Sequence, residues 1–398
     1  MIRLSARVNA IQPSATLALS AKAKALAAQG VDIAGFTAGE PDFDTPEHIK
    51  EAAKEAIRRG FTKYTPTGGI PELKKAVVEK MLRDLALAFD PAQVLVSVGA
   101  KHSLYNLFQA LLDPGDEVIV IAPYWVSYPD MVALAGGRAV IVETRPDDGY
   151  APDPAALRRA LTPRTRAIVI NSPSNPTGAV YERGHLAAIA DALRGHDCLV
   201  VSDDIYESLV YGGRKFTSLV HVAPDLAPRM VVVNGCSKAY AMTGWRIGYA
   251  AGPTPLIAAM QKVQDQSTSN PTSISQVAAV AALTGPTDDL ARMVAEFDVR
   301  RKRLVAALNA IDGVTCPEPF GAFYVFPSVR ALFGRRYKGA PVTSSVQMSE
   351  ILLSDFRVAA VPGAPFGAEG HLRLSFATSM AVIEKGVARL AEFVKTLQ

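Results

Sequence analysis

The sequence predicts an α/β fold: a large domain with a mainly parallel, seven-stranded sheet flanked by helices, and a smaller α+β domain. Three observations lead to this fold class. Seven short runs are rich in apolar and β-branched residues, several of them lack the alternation of a half-exposed strand, and helical patterns separate many of them. Strands that alternate with helices at this spacing are typical of a parallel sheet.

The predicted strands are residues 94–98, 117–122, 139–142, 167–171, 199–202, 231–234 and 247–251. Helical patterns occupy residues 101–112, 154–160 and 182–193 between them. The 398 residues allow two to three domains at roughly 150 residues each. We assign residues 47–285 to the large domain.

The pattern changes after Gly285-Pro286. An Arg-rich amphipathic helix is predicted at 288–310, strands at 322–326, 358–361 and 371–376, and a last helix at 381–397. Residues 1–46 hold one predicted helix, at 14–29, and are too short to fold alone. The small domain is therefore expected to combine residues 1–46 with 286–398.

Composition excludes several classes of protein. Lysine plus arginine number 42 and aspartate plus glutamate 38, a weak surplus that argues against a dedicated nucleic-acid binder. The six histidines and three cysteines lack metal-ligand spacing, so we expect no protein-held metal. No signal-peptide pattern and no apolar run of roughly 20 residues occurs, which predicts a soluble cytoplasmic protein without a membrane segment.

Polar residues directly after the strands are the first candidates for a site, because ligands of open α/β sheets bind beyond the carboxyl ends of the strands. Asn175 lies in a proline-rich loop after strand 167–171, and Asp203 and Tyr206 follow strand 199–202. Asp203 could pair with a protonated ring nitrogen, and Tyr206 could hydrogen-bond a phenolate oxygen. A plain turn and a capping aspartate are the simpler alternatives.

Lys238 follows strand 231–234 among small residues, which suits a Schiff-base nucleophile whose pKa is lowered by burial. Arg246 offers a planar fork for phosphate. The alternative is a lysine that extends to solvent beside a structural arginine.

Gly99-Ala100-Lys101 could hold phosphate at a helix N-terminus, or form only a tight turn. Trp125 could stack on a flat ring or pack in the core.

Together these residues match what pyridoxal phosphate requires: a lysine nucleophile, a carboxylate for the ring nitrogen, a phenolate partner, a phosphate cradle and a stacking aromatic. Several longer segments resemble the class I aminotransferases of fold type I, and the resemblance runs in order from residue 3 to the end of the chain. They are Thr-Ala-Gly-Glu-Pro-Asp-Phe (37–43), Lys-Tyr-Thr-Pro (63–66), Pro-Tyr-Trp-Val-Ser-Tyr-Pro (123–129), Asn-Ser-Pro-Ser-Asn-Pro-Thr-Gly (171–178), Ser-Asp-Asp-Ile-Tyr-Glu (202–207), Ser-Lys-Ala-Tyr-Ala-Met-Thr-Gly-Trp-Arg-Ile-Gly-Tyr (237–249) and Leu-Arg-Leu-Ser-Phe-Ala (372–377).

The subgroup that the sequence resembles most is the bacterial aspartate aminotransferases, some of which also act on prephenate. The resemblance implies that Lys238 forms the Schiff base with the cofactor and moves the proton. It implies that Asp203 holds the ring nitrogen, that Tyr206 and Asn175 bind the ring oxygen and that Trp125 stacks on the ring. Phosphate would be held by the backbone of Ala100 and Lys101, by Ser237 and by Arg246, with Tyr64 from a partner subunit, which implies a homodimer with shared active sites.

The resemblance also implies the substrate contacts. Arg373 would bind the α-carboxylate together with Asn175, Trp125 and the Gly39 backbone. Lys101 and Thr16 would contact the second carboxylate of a dicarboxylic substrate. Prephenate-active relatives commonly carry a basic residue where this chain has Gln12, and a neutral amide supplies no charge to a carboxylate, which argues against prephenate.

The predicted reaction is L-aspartate plus 2-oxoglutarate to oxaloacetate plus L-glutamate by a ping-pong Schiff-base mechanism, with amino acids and 2-oxo acids as partners. Other class I activities stay open: aromatic, alanine or prephenate transamination, or carbon–sulfur lysis. A non-enzymatic alternative is an effector-sensing module on this fold, which would normally carry a DNA-binding domain. A nicotinamide-dependent dehydrogenase is disfavoured because no GxGxxG follows an early strand.

Overall fold

The computed structural model describes residues 2–11, 13 and 15–398, with the side chains of 15–17 left out. Its helices, in chain order, are α1 Ala6–Asn9, α2 Ala15–Ala28, α3 Glu47–Arg58, α4 Pro71–Leu85, α5 Ala100–Leu111, α6 Ser127–Leu134, α7 Pro154–Ala160, α8 Arg183–Leu193, α9 Thr254–Asp265, α10 Ser273–Thr284, α11 Asp288–Asn309, α12 Ser345–Asp355 and α13 Met380–Thr396. In the described part of the chain, no helix is long and apolar enough to cross a membrane.

The strands are shorter and cluster in the middle of the chain. They are β1 Ala34–Gly35, β2 Val94–Ser97, β3 Glu117–Ile121, β4 Arg138–Val142, β5 Thr165–Asn171, β6 Leu199–Asp203, β7 Met230–Gly235, β8 Gly248–Ala251, β9 Tyr324–Val325, β10 Arg336–Tyr337, β11 Ala340–Pro341, β12 Val358–Ala359, β13 Val361–Pro362 and β14 Leu372–Ser375.

Seven strands form one sheet in the order β2-β8-β7-β6-β5-β3-β4. Only β8 runs against the others, because it is antiparallel to both β2 and β7 while the remaining pairs are parallel. All seven predicted strands are present and the mainly parallel α/β class is confirmed. The carboxyl ends of six strands therefore meet along one edge of the sheet.

Both faces of this sheet are covered, which explains why its strands lack polar alternation. Ile168 and Ile170 of β5 pack in one core cluster with α3, α4, α8 and α10. Their neighbours Ala167 and Val169 point to the opposite cluster, with α5, α6 and α9. The side chains on both faces of β5 are therefore buried.

A third large cluster lies around α11, α12 and α13 and the small sheet β13-β14-β9. Two residues from near the start of the chain, Ala34 and Phe36, belong to this cluster, and β1 pairs in parallel with β12. The chain ends therefore pack together. Tyr206 and Tyr211, which follow β6, also belong to the cluster. The division into domains at 46/47 and 285/286 stays our proposal.

Candidate active site

A cavity of about 620 Å³ opens at the carboxyl edge of the large sheet. Eleven of the residues singled out from the sequence line it: Gly39, Ala100, Lys101, Trp125, Asn175, Asp203, Tyr206, Ser237, Lys238, Arg246 and Arg373. Five basic side chains line the cavity against two acidic ones, Glu40 and Asp203. This surplus of positive charge favours an anionic occupant.

Asp203 ends strand β6 and lies on the cavity floor, almost completely buried. Its Oδ2 accepts a hydrogen bond of 2.5 Å from the hydroxyl of Tyr128, and its Oδ1 accepts a longer one from the Ile205 amide. Burial raises the pKa of Asp203 to about 6, although these hydrogen bonds and the positive charge of Lys238 act to lower it. A cationic partner would stabilise the carboxylate in this position.

Lys238 lies three residues beyond β7 and is partly exposed to the cavity. Its Nζ donates a hydrogen bond of 2.5 Å to the carbonyl oxygen of Gly39. The pKa of Lys238 is lowered to about 8, mainly because burial removes water from the amine. The positive charges of Arg373 and Arg246 lower the pKa further, and the negative charge of Glu40 opposes the shift. A substantial share of the amine is therefore neutral, and nucleophilic, at mildly alkaline pH.

Arg246 and the start of α5 form a compact corner of the cavity. The guanidinium of Arg246 donates to the carbonyl oxygen of Thr243 at 2.8 Å and lies so close to Gly99 that a Cβ there would come within 2.4 Å of Nη2. A Cβ on Gly248 would meet the Ala100 nitrogen at 2.1 Å. Only glycine permits these approaches, and the first amides of α5 have no partner within their helix.

Arg373 lies on β14 and is 2% exposed. Its Nη1 donates to Oδ1 of Asn175 and its Nη2 to the carbonyl oxygen of Thr37, each at 3.0 Å. The Nε atom has no hydrogen-bond partner among the described residues. Arg373 lines the cavity, and a buried guanidinium there can donate hydrogen bonds to a carboxylate.

The aromatic wall of the cavity consists of Trp125, Tyr206 and Tyr324. The Nζ of Lys101 lies 4.9 Å from the centre of the Trp125 ring. The Tyr206 hydroxyl is 2.9 Å from the Tyr324 hydroxyl, and both side chains are buried. The rings thus form flat surfaces beside the polar groups of the floor.

Three further residues were considered in the sequence analysis. Tyr64 is 92% exposed and does not line the cavity of its own chain. Gln12 and the side chain of Thr16 lie outside the described residues. The roles expected of Tyr64 and Thr16 stay predictions.

Comparison with known proteins supplies the family. Residues 31–390 match the sequence model described as "Aminotransferase class I and II", which covers far more than half of the chain. The chain belongs to this family. The class I resemblance drawn from the sequence segments is thereby confirmed.

Two curated proteins and one solved structure illustrate how similar this aminotransferase is to its relatives. It is 49% identical over 397 residues to the aspartate aminotransferase of Geobacillus stearothermophilus, covering 99% of each chain. It is 50% identical over 396 residues to the aspartate/prephenate aminotransferase of Nitrosomonas europaea, covering 99% of this chain and 100% of that one. The aspartate aminotransferase structure from Rhizobium meliloti superposes with a TM-score of 0.96 at 44% identity, covering 100% of both chains.

Sequence reasoning did not name every residue of the aminotransferase cavity, and the charged and phenolic side chains that it missed are Lys24, Glu40, Tyr128 and Tyr324. Glu40 and Tyr128 lie within the segments 37–43 and 123–129 that carried the family resemblance. These segments pointed to the part of the chain that forms the site, but not to the contacts that the two side chains make. Lys24 lies on α2 and Tyr324 on β9. Neither position follows a strand of the large sheet, so the search beyond strand ends could not find them.

Proposed function

We propose that this aminotransferase exchanges the amino group between L-aspartate and 2-oxoglutarate, yielding oxaloacetate and L-glutamate, in ping-pong order with pyridoxal phosphate as cofactor. Dependence on pyridoxal phosphate follows from the family. Bound pyridoxal phosphate supplies a ring that withdraws electrons from the substrate α-carbon.

The residues of the cavity fit this cofactor. The corner formed by Arg246, Ser237 and the first amides of α5 suits a phosphate, and the tight approach at Gly99 leaves no room for a side chain there. Asp203 would face the protonated ring nitrogen, and that positive charge would oppose the burial that now raises the pKa of the carboxyl. Tyr206 and the Asn175 amide would donate to the ring oxygen, with Trp125 stacked on the ring.

Lys238 would be both nucleophile and proton carrier. Its lowered pKa keeps part of the amine neutral, so Nζ can attack a carbonyl carbon and later accept the α-proton of the substrate. Its hydrogen bond to the Gly39 carbonyl holds Nζ at the cavity while it is not engaged. Asp203 and Tyr206 complete the proposed catalytic set.

Arg373 would bind the α-carboxylate that all amino acids share, because its planar fork is already oriented by Asn175 and by the Thr37 carbonyl. Trp125 and the Gly39 backbone would line the same subsite. Lys101 and Thr16 would contact the distal carboxylate of a dicarboxylic substrate.

We further propose a homodimer in which Tyr64 of each chain completes the phosphate site of the other. The near-complete exposure of Tyr64 in one chain supports this arrangement, since a tyrosine ring is rarely left so open without a partner. A cytoplasmic location stays a prediction.

The observation that carries the proposal is that Lys238, Asp203, Arg246 and Arg373 line one cavity in a chain about half identical to aspartate aminotransferases. The test is turnover by purified holoenzyme, with oxaloacetate measured through malate dehydrogenase and NADH. The amino-donor panel also contains alanine, phenylalanine and a thioether amino acid, and prephenate serves as an alternative acceptor. Aspartate with 2-oxoglutarate should be the best pair, and negligible turnover of that pair would overturn the assignment.

A further inference from the structure

Tyr324 joins two parts of the cavity that have separate proposed tasks. It lies on β9, is 0% exposed, and its hydroxyl is 2.9 Å from that of Tyr206. The guanidinium carbon of Arg373 lies 4.5 Å from the centre of the Tyr324 ring. One buried phenol thus contacts both the partner expected for the cofactor ring oxygen and the arginine expected for the substrate carboxylate.

The number of hydroxyl protons decides the direction of the hydrogen bond between Tyr206 and Tyr324. A phenol has a single O–H, which it can donate only once. If Tyr206 donates to the ring oxygen of the cofactor, it cannot also donate to Tyr324. The 2.9 Å hydrogen bond must then run from Tyr324 to Tyr206.

We propose that Tyr324 is a positioning residue that donates to the Tyr206 hydroxyl and so directs the Tyr206 proton to the cofactor ring oxygen. This inference rests on the proposed function, because it assumes pyridoxal phosphate in the cavity. It adds a residue that acts on the cofactor only through another side chain.

Two physical effects support this direction of donation. A phenol that accepts a hydrogen bond becomes a stronger donor, because a chain of hydrogen bonds is mutually polarised. A cation over an aromatic face is attracted by the ring electrons and draws them toward itself, so Arg373 makes the Tyr324 O–H more acidic. The charged groups near the pair are Arg373, Glu40, Asp203 and Lys238, whose Nζ lies 5.8 Å from the centre of the Tyr206 ring.

The test is an absorbance titration of the bound cofactor in resting holoenzyme, without substrate. A donor to the ring oxygen stabilises the deprotonated chromophore, so weakening it should raise the midpoint of the titration. For Tyr324→Phe we expect a rise of about 0.3 pH unit, the size of one cooperative contribution. Replacement of Tyr324 by 3-fluorotyrosine, a stronger acid of nearly the same size, should lower the midpoint.

Tyr211→Phe is the matched control. Tyr211 is also a buried tyrosine of the same core cluster, but its hydroxyl donates to the Ala322 carbonyl and it does not line the cavity. This variant loses a buried hydroxyl as Tyr324→Phe does, and should leave the midpoint unchanged. Equal shifts in the two variants would overturn the proposal.

A double variant tests whether Tyr324 acts through Tyr206. In the Tyr206→Phe background, Tyr324→Phe should shift the midpoint no further, because the intermediate hydroxyl is gone. An unchanged midpoint in Tyr324→Phe, or the same shift with and without Tyr206, contradicts the inference. If the wild-type protein binds no pyridoxal phosphate, the proposed function itself fails, which is a separate and recognisable result.

Discussion

The hydroxyl of Tyr128 donates to the carboxylate of Asp203 across 2.5 Å in the buried floor of the cavity. Tyr128 lies on α6 and Asp203 at the end of β6, so the contact joins a helix that covers the sheet to the edge of the sheet itself. The tyrosine favours the ionised carboxyl, while burial opposes it and raises the pKa of Asp203 to about 6. Because of this conflict, the ionised carboxylate of Asp203 lowers the folding stability of the apoprotein.

We expect Asp203→Asn to stabilise the apoprotein at neutral pH while impairing cofactor-dependent activity. The pKa of Asp203 rises from 3.8 to about 6 on folding, so between these values the folded protein keeps a proton that the unfolded chain releases. Stability therefore falls as the pH rises through this window and stays lower above it. At about pH 8 the variant should gain about 3 kcal/mol relative to its difference at about pH 3. Denaturant unfolding of apoprotein checks this, and a pH-independent difference would contradict it.

Lys238→Ala should lower turnover by a factor of about 10⁴ or more, because it removes both nucleophile and proton carrier. Borohydride reduction followed by peptide mass spectrometry should fix the cofactor to the Lys238 peptide in the wild type and to no lysine in the variant. The control is Lys22→Ala, because Lys22 is exposed on α2 and lies outside the cavity. This variant should behave as wild type. An unchanged visible spectrum in Lys238→Ala would remove the assignment.

Arg373→Lys should reduce kcat/KM by about 100-fold for every amino donor, with or without a distal carboxylate. The reason is that a lysine cannot reproduce the planar fork that Asn175 and the Thr37 carbonyl orient. Steady-state kinetics with aspartate and alanine measures the effect. A loss confined to aspartate would instead place Arg373 at the distal carboxylate.

Lys101→Met should raise KM for aspartate and 2-oxoglutarate about 10-fold and leave KM for alanine nearly unchanged, since one charged contact to the distal carboxylate is lost. Lys101 lines the cavity beside Trp125. Lys22→Met gives a matched control on the exposed face of α2. Equal effects on aspartate and alanine would show that Lys101 serves the cofactor only.

Tyr64→Phe should weaken cofactor binding about 10-fold if its hydroxyl reaches a phosphate in the partner subunit. The measurement is the dissociation constant of pyridoxal phosphate, with sedimentation velocity to establish the dimer. A monomeric protein, or a dimer whose variant binds the cofactor as wild type does, would refute the shared site. The exposed position of Tyr64 makes a folding defect an unconvincing explanation of weaker binding.

The large sheet was predictable because its strands are short apolar runs with clear ends. β5 and β7 were expected at 167–171 and 231–234, and each was found within three residues at either end. Asp203 and Lys238 could be named for the same reason, since Asp203 lies at the end of β6 and Lys238 lies three residues beyond the end of β7. The strands of the small domain are shorter than predicted, because only a few residues pair there. Of the predicted strand 322–326 only Tyr324–Val325 pairs, and the predicted strand 358–361 is divided into β12, which pairs with β1, and β13, which pairs with β14.

By itself, the sequence determined the fold class, the strand ends and the residue types that chemistry needs at those ends, because local hydrophobic patterns specify burial and direction. The tertiary structure alone decided which of those groups touch. Tyr206 and Tyr324 are separated by 118 positions and share a 2.9 Å hydrogen bond, while Arg373 reaches the carbonyl of Thr37 near the other end of the chain. Such contacts depend on how separate elements pack, and no local pattern encodes that packing.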